Sequence, residues 1–417
     1  MARKHETEAL VVGAGPVGML AALALAERDV KVEVVDEEWR AAARSYALAL
    51  HPASLELLDE VGLATELVEQ GHRLTRIAFY DRGERRAEVY PAELPRAFPF
   101  LLVLPQKALE AALERRLERH GVKVRWNQRL ASLALGGERP VATVERLAKE
   151  STGYSVATTV WVVEGETATA ADFVVGTDGH RSVVRQALGA GLETLGEPEL
   201  YAVFELASDA PELDEVRVVL DEQGTSVLWP LGRGRFRWSF QLDASTVEVD
   251  RPDKSRLAVQ VGRHAYPFLS RDDLAALIAR RAPWFEGSIG DLEWSVAVRF
   301  ERRLAESFGR DGAWLAGDAA HLAPPVGVHS MNGGLAEAND LASRIARVLR
   351  RGSSRDLLES YGRERHAEWR RLLGARVEAG PEASDWVRER AGRIVPCLPG
   401  LGADLDRLAG QLGLRLR

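Results

Sequence analysis

Ala9-Leu10-Val11-Val12-Gly13-Ala14-Gly15-Pro16-Val17-Gly18 runs from an apolar strand through a glycine-bearing turn into a helix. Ala9 to Val12 is a buried-strand run, Met19 to Arg28 an Ala/Leu helix, and Val30 to Asp36 a second strand. Together they predict a strand–helix–strand unit, the opening of a parallel sheet. In such a unit the first Gly allows a tight turn and the second lets the backbone approach a pyrophosphate. The third lets helix and strand pack closely, and the unpaired N–H groups at the helix start attract the anion. Pro16 and Val17 complete the turn. Asp36, about 20 residues after Gly13, ends the second strand, where its carboxylate can accept hydrogen bonds from ribose hydroxyls. The same region imitates a membrane segment, because Ala9 to Ala26 carries no charge. Its three glycines and Pro16 would break a spanning helix, and Glu6 and Glu8 do not suit a signal peptide. A soluble protein is expected.

Beyond this unit, Ser54 to Val61 reads as a helix capped by Ser54 and stopped by Gly62, and Lys107 to His120 as a strongly amphipathic helix. Short β-runs follow to about residue 172, and residues 200–242 alternate as strands. Helices dominate from Asn332 onward. At 417 residues the chain can form more than one domain. Its 28% of charged residues and net charge of −7 are ordinary globular values. They provide no basic footprint for nucleic acid or an anionic membrane. The single cysteine, Cys397, allows no internal disulfide and the sequence shows no metal-ligand cluster, which fits a reducing cytoplasm.

Two further motifs carry an acid behind a strand. Phe173-Val174-Val175-Gly176-Thr177-Asp178-Gly179 ends a strand in Gly-x-Asp-Gly, with Arg181, Ser182 and Arg185 after it. Alone, Asp-Gly is commonly just a turn. Trp314-Leu315-Ala316-Gly317-Asp318-Ala319-Ala320-His321 delivers a second acid into a loop containing Pro324-Pro325. A Gly-rich turn through Met331 then opens a helix that Asn332 can cap, its N–H groups aimed into whatever the loop encloses.

In this order and at these separations, the three motifs resemble the FAD-dependent aromatic hydroxylase family, the single-component flavoprotein monooxygenases of the para-hydroxybenzoate hydroxylase fold. Arg44-Ser45, His51-Pro52-Ala53-Ser54, Leu104-Pro105-Gln106-Lys107 and Trp229-Pro230-Leu231 also resemble segments of that family. The fold implied is α/β: a Rossmann-like FAD-binding domain, an inserted, mostly antiparallel β-sheet substrate domain, and C-terminal helices. The expected divisions are 1–72, 96–185 and 290–350 for FAD, 73–95 and 186–289 for substrate, and 351–417 for the helical region.

The resemblance also implies roles. Gly13, Gly15 and Gly18 would hold the FAD diphosphate, with Arg44 and Gln106 near it, and Asp36 the adenosine ribose. Asp178 would sit where FAD and NAD(P)H meet. Gly317 and Asp318 would meet the ribityl chain, and the backbone of Met331 and Asn332 the flavin pyrimidine edge, where a helix N-terminus favours the anionic reduced flavin. Pro325 would place its carbonyl against the site of oxygen transfer.

The implied reaction uses NADPH or NADH to reduce FAD and dioxygen to form a flavin C4a-hydroperoxide. This then hydroxylates an aromatic or polyketide-like small molecule in a dry pocket. An FAD-dependent reductase or dehydrogenase on the same scaffold is the alternative. A monomer or homodimer fits either.

Ser330 stands where such proteins commonly have a glycine beside the flavin, so its Cβ could crowd the ring. His329 in the same turn reads as an exposed loop residue or as a proton donor near the flavin. Phe236, Trp238 and Phe240 share one face of a strand, with Phe204 and Trp229 as possible neighbours. That face either roofs an aromatic pocket or packs on its own core; the arginines of the opposite face are expected to be solvated.

Overall fold

A computed structural model describes residues 3–38, 49–152, 158–243, 259–261, 264–266 and 269–417. Arg44 lies outside them. In chain order the elements that position the sites begin with β1 (Arg3–Val12), α1 (Pro16–Ala26), β2 (Val32–Val35) and α2 (Pro52–Glu60). Next come β3 (Arg76–Asp81), β4 (Glu84–Val89), α3 (Gln106–Arg119), β5 (Val141–Thr152), β6 (Thr158–Gly176) and α4 (Val183–Ala187). The second sheet uses β7 (Glu199–Ala207), β8 (Glu215–Asp221), β9 (Gly224–Gly232), β10 (Arg235–Leu242) and β11 (Leu292–Phe300), with α5 (Arg271–Arg281) against it. The chain continues through β12 (Ala313–Leu315), α6 (His329–Arg351), α7 (Asp356–Leu373), α8 (Asp385–Ile394) and α9 (Gly402–Gly410).

The first sheet has the parallel order β12-β6-β1-β2, with Val11 level with Val175 and Val34. Both faces are covered at the carboxyl end of β1, so Ala9 to Val12 reads as an unbroken apolar run. α1 is apolar nearly all round because it lies buried under α6 and α3. Register matters here. It brings the ends of β1, β2, β6 and β12, and hence Gly13, Asp36, Asp178 and Gly317, to one carboxyl edge. Open α/β sheets bind ligands at that edge.

The second sheet runs β11-β7-β10-β9-β8-β3-β4, all antiparallel except β8 with β3. β11 was expected with the nucleotide-binding part, but it pairs with β7 through Val203 and Val296. The second sheet therefore extends to Phe300. Its inner face carries Tyr201, Val203, Val227, Trp229 and Val296, and packs against Val387, Ile394, Leu405 and Leu408 of the C-terminal region.

The outer face holds Phe204, Phe236, Trp238 and Phe240, which bury themselves under Leu274, Leu277 and Ile278 of α5. Trp238 and Phe240 stack with centroids 4.9 Å apart. These four residues are core and line none of the cavities described below, which corrects the expectation of a pocket roof. Trp229 lies on the opposite face, level with Arg237. Arg237 is not solvated either; it is buried and bonded to the buried Glu205.

Among the described residues the Trp238 indole N–H has no hydrogen-bond partner. Replacing Trp238 by Phe therefore removes volume alone, whereas Ala opens a large cavity. Trp238→Ala is expected to cost about 3–5 kcal/mol in urea unfolding, and Trp238→Phe less than half of that.

Candidate active site

Gly13 sits at φ +100°, and a Cβ there would lie 2.3 Å from the Thr177 carbonyl oxygen. A Cβ on Gly18 would lie 1.9 Å from the Gly13 carbonyl oxygen. Thr177 ties the two motifs together, its Oγ1 donating to the carbonyls of Val12 (2.8 Å) and Gly13 (2.9 Å). Gly15 differs from both: an added Cβ would meet nothing within 4 Å. It caps α1 without any side-chain bond, so the first N–H groups of that helix remain to be satisfied.

The Asp36 carboxylate accepts from Ala14 N at 2.6 Å and Glu38 N at 2.8 Å, which fixes it beside the glycine turn. A cavity of about 290 Å³ opens there, lined by Gly13, Asp36, Glu38, Arg129, Asp178 and Arg181. Asp178 Oδ2 accepts from Val183 N at 2.7 Å and Val184 N at 3.2 Å, capping α4. Its Oδ1 is buried, with no hydrogen-bond partner among the described residues. Burial raises the carboxyl above the usual range, against the pull of hydrogen bonds from the Ser182 side chain and from the backbone at Val184 and Val183.

A second cavity, of about 490 Å³, continues from Gly15, Pro16 and Val17 past Gln106, Asp318, Pro325 and Met331. Asp318 is exposed within it. The surrounding protein raises the Asp318 carboxyl, while His321 and His180 draw it down. The turn that carries it is held from two sides. Arg185 donates to the carbonyls of Ala319 and His180, each at 2.9 Å. From α6, the buried Glu337 accepts from Gly317 N at 2.8 Å, from His321 Nε2 at 2.9 Å and from the Trp369 indole. His321 also stacks on Trp369 with centroids 3.6 Å apart, so its place is structural. Glu337 escaped the sequence reading. Its one signal is a carboxylate amid Leu335, Ala338, Leu341 and Ala342 on the apolar stripe of α6.

α6 starts at His329, ahead of the expected Asn332 cap. Asn332 instead donates from Nδ2 to Val328 O (2.7 Å) and Ala49 O (3.0 Å), and accepts from His51 N (2.8 Å). Its amide is spent binding the start of α6 to the segment before α2. Val328, a β-branched residue, sits in the left-handed region at φ +52°, a conformation that costs on the order of 1–3 kcal/mol and persists only when its surroundings enforce it. Here the Asn332 bond and a Val328 N to Pro325 O bond of 3.2 Å enforce it. The Pro325 carbonyl is thus engaged in this turn, while the residue lines the cavity.

His329 is buried rather than exposed; its Nε2 donates to Leu398 O at 2.8 Å. Desolvation lowers its pKa to about 4, so the ring is neutral near pH 7. That corrects the proton-donor reading: His329 anchors the turn. His51 mirrors it, donating from Nε2 to Gly327 O at 2.9 Å, with its pKa lowered to about 3 by burial and by the neighbouring His329. Ser330 is accommodated, its Oγ accepting from Ala323 N at 3.2 Å. The positive end of α6 opens on this cavity through Ser330 and Met331.

A third cavity, of about 880 Å³, adjoins the second at Pro324, which lines both. Tyr201 lines the larger one and Phe300 the smaller, their rings meeting edge to face at 5.8 Å. The donor set suits an extended dinucleotide. There is an open approach at Gly15 and an acid beside each of the first two cavities.

The family model described as "FAD binding domain" matches residues 6–375. The 6-methylpretetramide 4-monooxygenase of Streptomyces rimosus is 31% identical over 373 residues, which are 88% of this chain and 60% of that protein. The pentachlorophenol 4-monooxygenase of Sphingobium chlorophenolicum is 27% identical, over 87% of this chain and 62% of its own. The chain thus spans about three-fifths of the length of these relatives. Among solved structures, p-nitrophenol 4-monooxygenase from Pseudomonas putida DLL-E4 shares the fold. Its TM-score is 0.72 at 20% identity, covering 98% of this chain and 94% of that one. A ternary complex of aklavinone-11 hydroxylase with FAD and aklavinone gives a TM-score of 0.68 at 25% identity, covering 88% and 67%.

Proposed function

The chain belongs to the FAD-binding domain family, and from that premise we propose that it is an NAD(P)H-dependent monooxygenase that hydroxylates an aromatic or polyketide-like small molecule. One observation carries the reading. A pair of cavities at the carboxyl edge of the parallel sheet adjoins a third of about 880 Å³ at Pro324, which lines both, and at the Tyr201–Phe300 ring contact.

In this reading Gly15 and the start of α1 hold the FAD diphosphate, Asp36 the adenosine ribose, and Asp318 the ribityl chain. Gln106 and Met331 flank the flavin, and the first turn of α6 favours negative charge on it. When bound, FAD supplies hydride acceptance from a nicotinamide and activation of dioxygen. The chain's own work is positional. Glu337 and Arg185 hold the Asp318 turn, and the His51–Asn332–His329 clamp holds the strained turn at Val328. Val298, Phe300, Leu322 and Pro325 give the flavin cavity apolar walls that keep water out. The organic substrate occupies the larger cavity, with Pro324 marking where its reacting edge meets the flavin. The setting proposed is the cytoplasm, where NADPH is at hand.

The test is NADPH consumption by the FAD-loaded chain under ¹⁸O₂ with a panel of phenols and fused-ring polyphenols. One or more of them should accelerate consumption and emerge carrying one labelled oxygen atom. If every equivalent of NADPH ends in hydrogen peroxide whatever aromatic is added, the hydroxylase reading fails and the reductase reading replaces it. Asp318→Ala is expected to stay folded, since its side chain faces a cavity, and to lose FAD. A carboxylate hydrogen bond is worth about 1.5–3 kcal/mol, or roughly ten- to hundred-fold in affinity. Equilibrium dialysis against FAD checks it.

A further inference from the structure

The family match ends at residue 375, so the segment from Val395 to Leu398 lies outside the matched residues. Val395–Cys397 forms a single 3-10 turn between α8 and α9. Pro396 and Cys397 line the cavity of about 880 Å³. On its other side the segment meets the turn from Gly327 to Met331. His329 donates from Nε2 to Leu398 O at 2.8 Å, and a Cβ on Gly327 would lie 2.6 Å from the Pro396 carbonyl oxygen. Val326 and Val328 share one apolar cluster with Ile394, Val395, Cys397 and Leu398. One short segment is thus a wall of the larger cavity and the anchor of the turn whose Val328, His329, Ser330 and Met331 line the flavin cavity.

The contact is finely balanced. Val328 holds a left-handed backbone at φ +52°, and such strain opposes closure about as strongly as one neutral hydrogen bond supports it. Opening the His329 bond lets the turn relax. It does not strand the Leu398 carbonyl, which also accepts from Gly400 N at 3.1 Å. A local opening of this kind lies within reach of a folded chain. A ligand that fits only the closed turn shifts the balance by its differential affinity for the two arrangements.

We propose that Val395–Leu398 is a latch closed by FAD. The cofactor seated against Ser330 and Met331 fixes the turn, the turn holds Leu398 through His329, and the wall of the larger cavity is completed only in the loaded chain. FAD binding therefore precedes enclosure of any molecule in that cavity, and whatever opens the latch weakens FAD binding in return. His329 is a positioning residue that acts through Leu398. The inference rests on FAD occupying the cavity at Asp318 as proposed above.

Cys397 reports the latch. It is the chain's only cysteine. Its Sγ donates to Arg393 O at 3.1 Å and burial pushes the thiol up to about 12, so it reacts only in opened chains. The rate of its reaction with dithiobis(nitrobenzoate) is measured on the stripped and the FAD-loaded full chain, FAD occupancy being read first from visible absorbance. Loading is expected to slow the reaction at least about ten-fold. In the stripped chain the rate should stay nearly flat in sub-denaturing urea, which marks a local opening rather than global unfolding. In His329→Ala, held at saturating FAD, loaded and stripped chains should react at similar rates. His329→Gln, which keeps a donor for Leu398 O, should restore the slowing. The parent's own rates decide the case even where His329→Ala fails to fold. No slowing by FAD, a stripped-chain rate that climbs with urea as unfolding does, or slowing that survives His329→Ala would overturn the latch. With FAD taken up normally, each of these results sinks the latch alone, whereas absence of FAD uptake contradicts the proposed function as well.

Discussion

Gly15→Val is expected to yield a chain that folds and melts like the parent yet takes up FAD at least about 100-fold more weakly. Gly15 has φ −69° and ψ 177°, an extended conformation that any residue adopts and that a residue before proline prefers. Glycine is therefore not needed there for its backbone freedom. Nor is it needed for packing, because an added Cβ meets no atom within 4 Å. What remains is the open space itself, which two valine methyl groups would fill just where the helix N–H groups are presented. Gly18→Ala is the counter-experiment. Its Cβ would stand 1.9 Å from the Gly13 carbonyl oxygen and 2.5 Å from Thr177 Oγ1, so the helix must move off the strand. The expected cost is about 3 kcal/mol or more of folding stability. Urea unfolding and FAD titration of the two variants should thus give opposite patterns. Parent-like FAD affinity in Gly15→Val would mean that the diphosphate does not pass this turn.

Acidification should weaken the protein well above the range in which its carboxylates protonate. His51 and His329 have pKa values lowered from 6.5 to about 3 and about 4 by burial. The unfolded chain therefore takes up protons at these residues before the folded chain does. Stability from this source is fully present above pH 6.5 and falls as the pH drops toward the folded values. At pH 5 each histidine removes about 2 kcal/mol, and the pair about 4 kcal/mol, a large share of a typical domain's 5–15 kcal/mol. At pH 5 both rings are still neutral in the folded chain, so the clamp on the turn from Gly327 to Ser330 stays closed and the loss comes from proton uptake by the unfolded chain. His329→Gln, which keeps a donor for Leu398 O, is expected to cut the difference in unfolding free energy between pH 7 and pH 5 by about half. A difference unchanged by that substitution would assign the acid sensitivity to other groups.

Local chemistry explains why the nucleotide-binding edge was legible in the sequence. A tight turn needs Gly13 within a few residues of Val12, and a strand-end acid needs only its strand, so Asp36, Asp178 and Asp318 could be found one at a time. The second sheet shows the opposite case. Alternation in β10 separates Phe236, Trp238 and Phe240 from Arg235 and Arg237, but it does not say what covers either face. That answer comes from α5, about 30 residues further on, and from α8 and α9 near the chain end. Trp229 was grouped with the wrong face because the register of β9 against β10 is not written in either strand alone.

The same distance hid the roles of Asn332, His51 and Glu337. Asn332 suits a cap by type, yet its partners include Ala49 and His51, which lie 283 and 281 residues away in sequence. With its amide engaged there, the helix starts earlier on Val328. Residues that touch the ligand cavity follow turn rules; those that hold the turns follow tertiary contacts.

The most direct test is to strip the chain of flavin and titrate it separately with FAD and with FMN, following quenching of flavin fluorescence. If one extended dinucleotide spans both the Asp36 and the Asp318 cavities, uptake saturates at one FAD per chain. FMN, which leaves the adenosine cavity empty, should then bind at least about 100-fold more weakly. FMN binding as tightly as FAD, or no uptake of either, would contradict it.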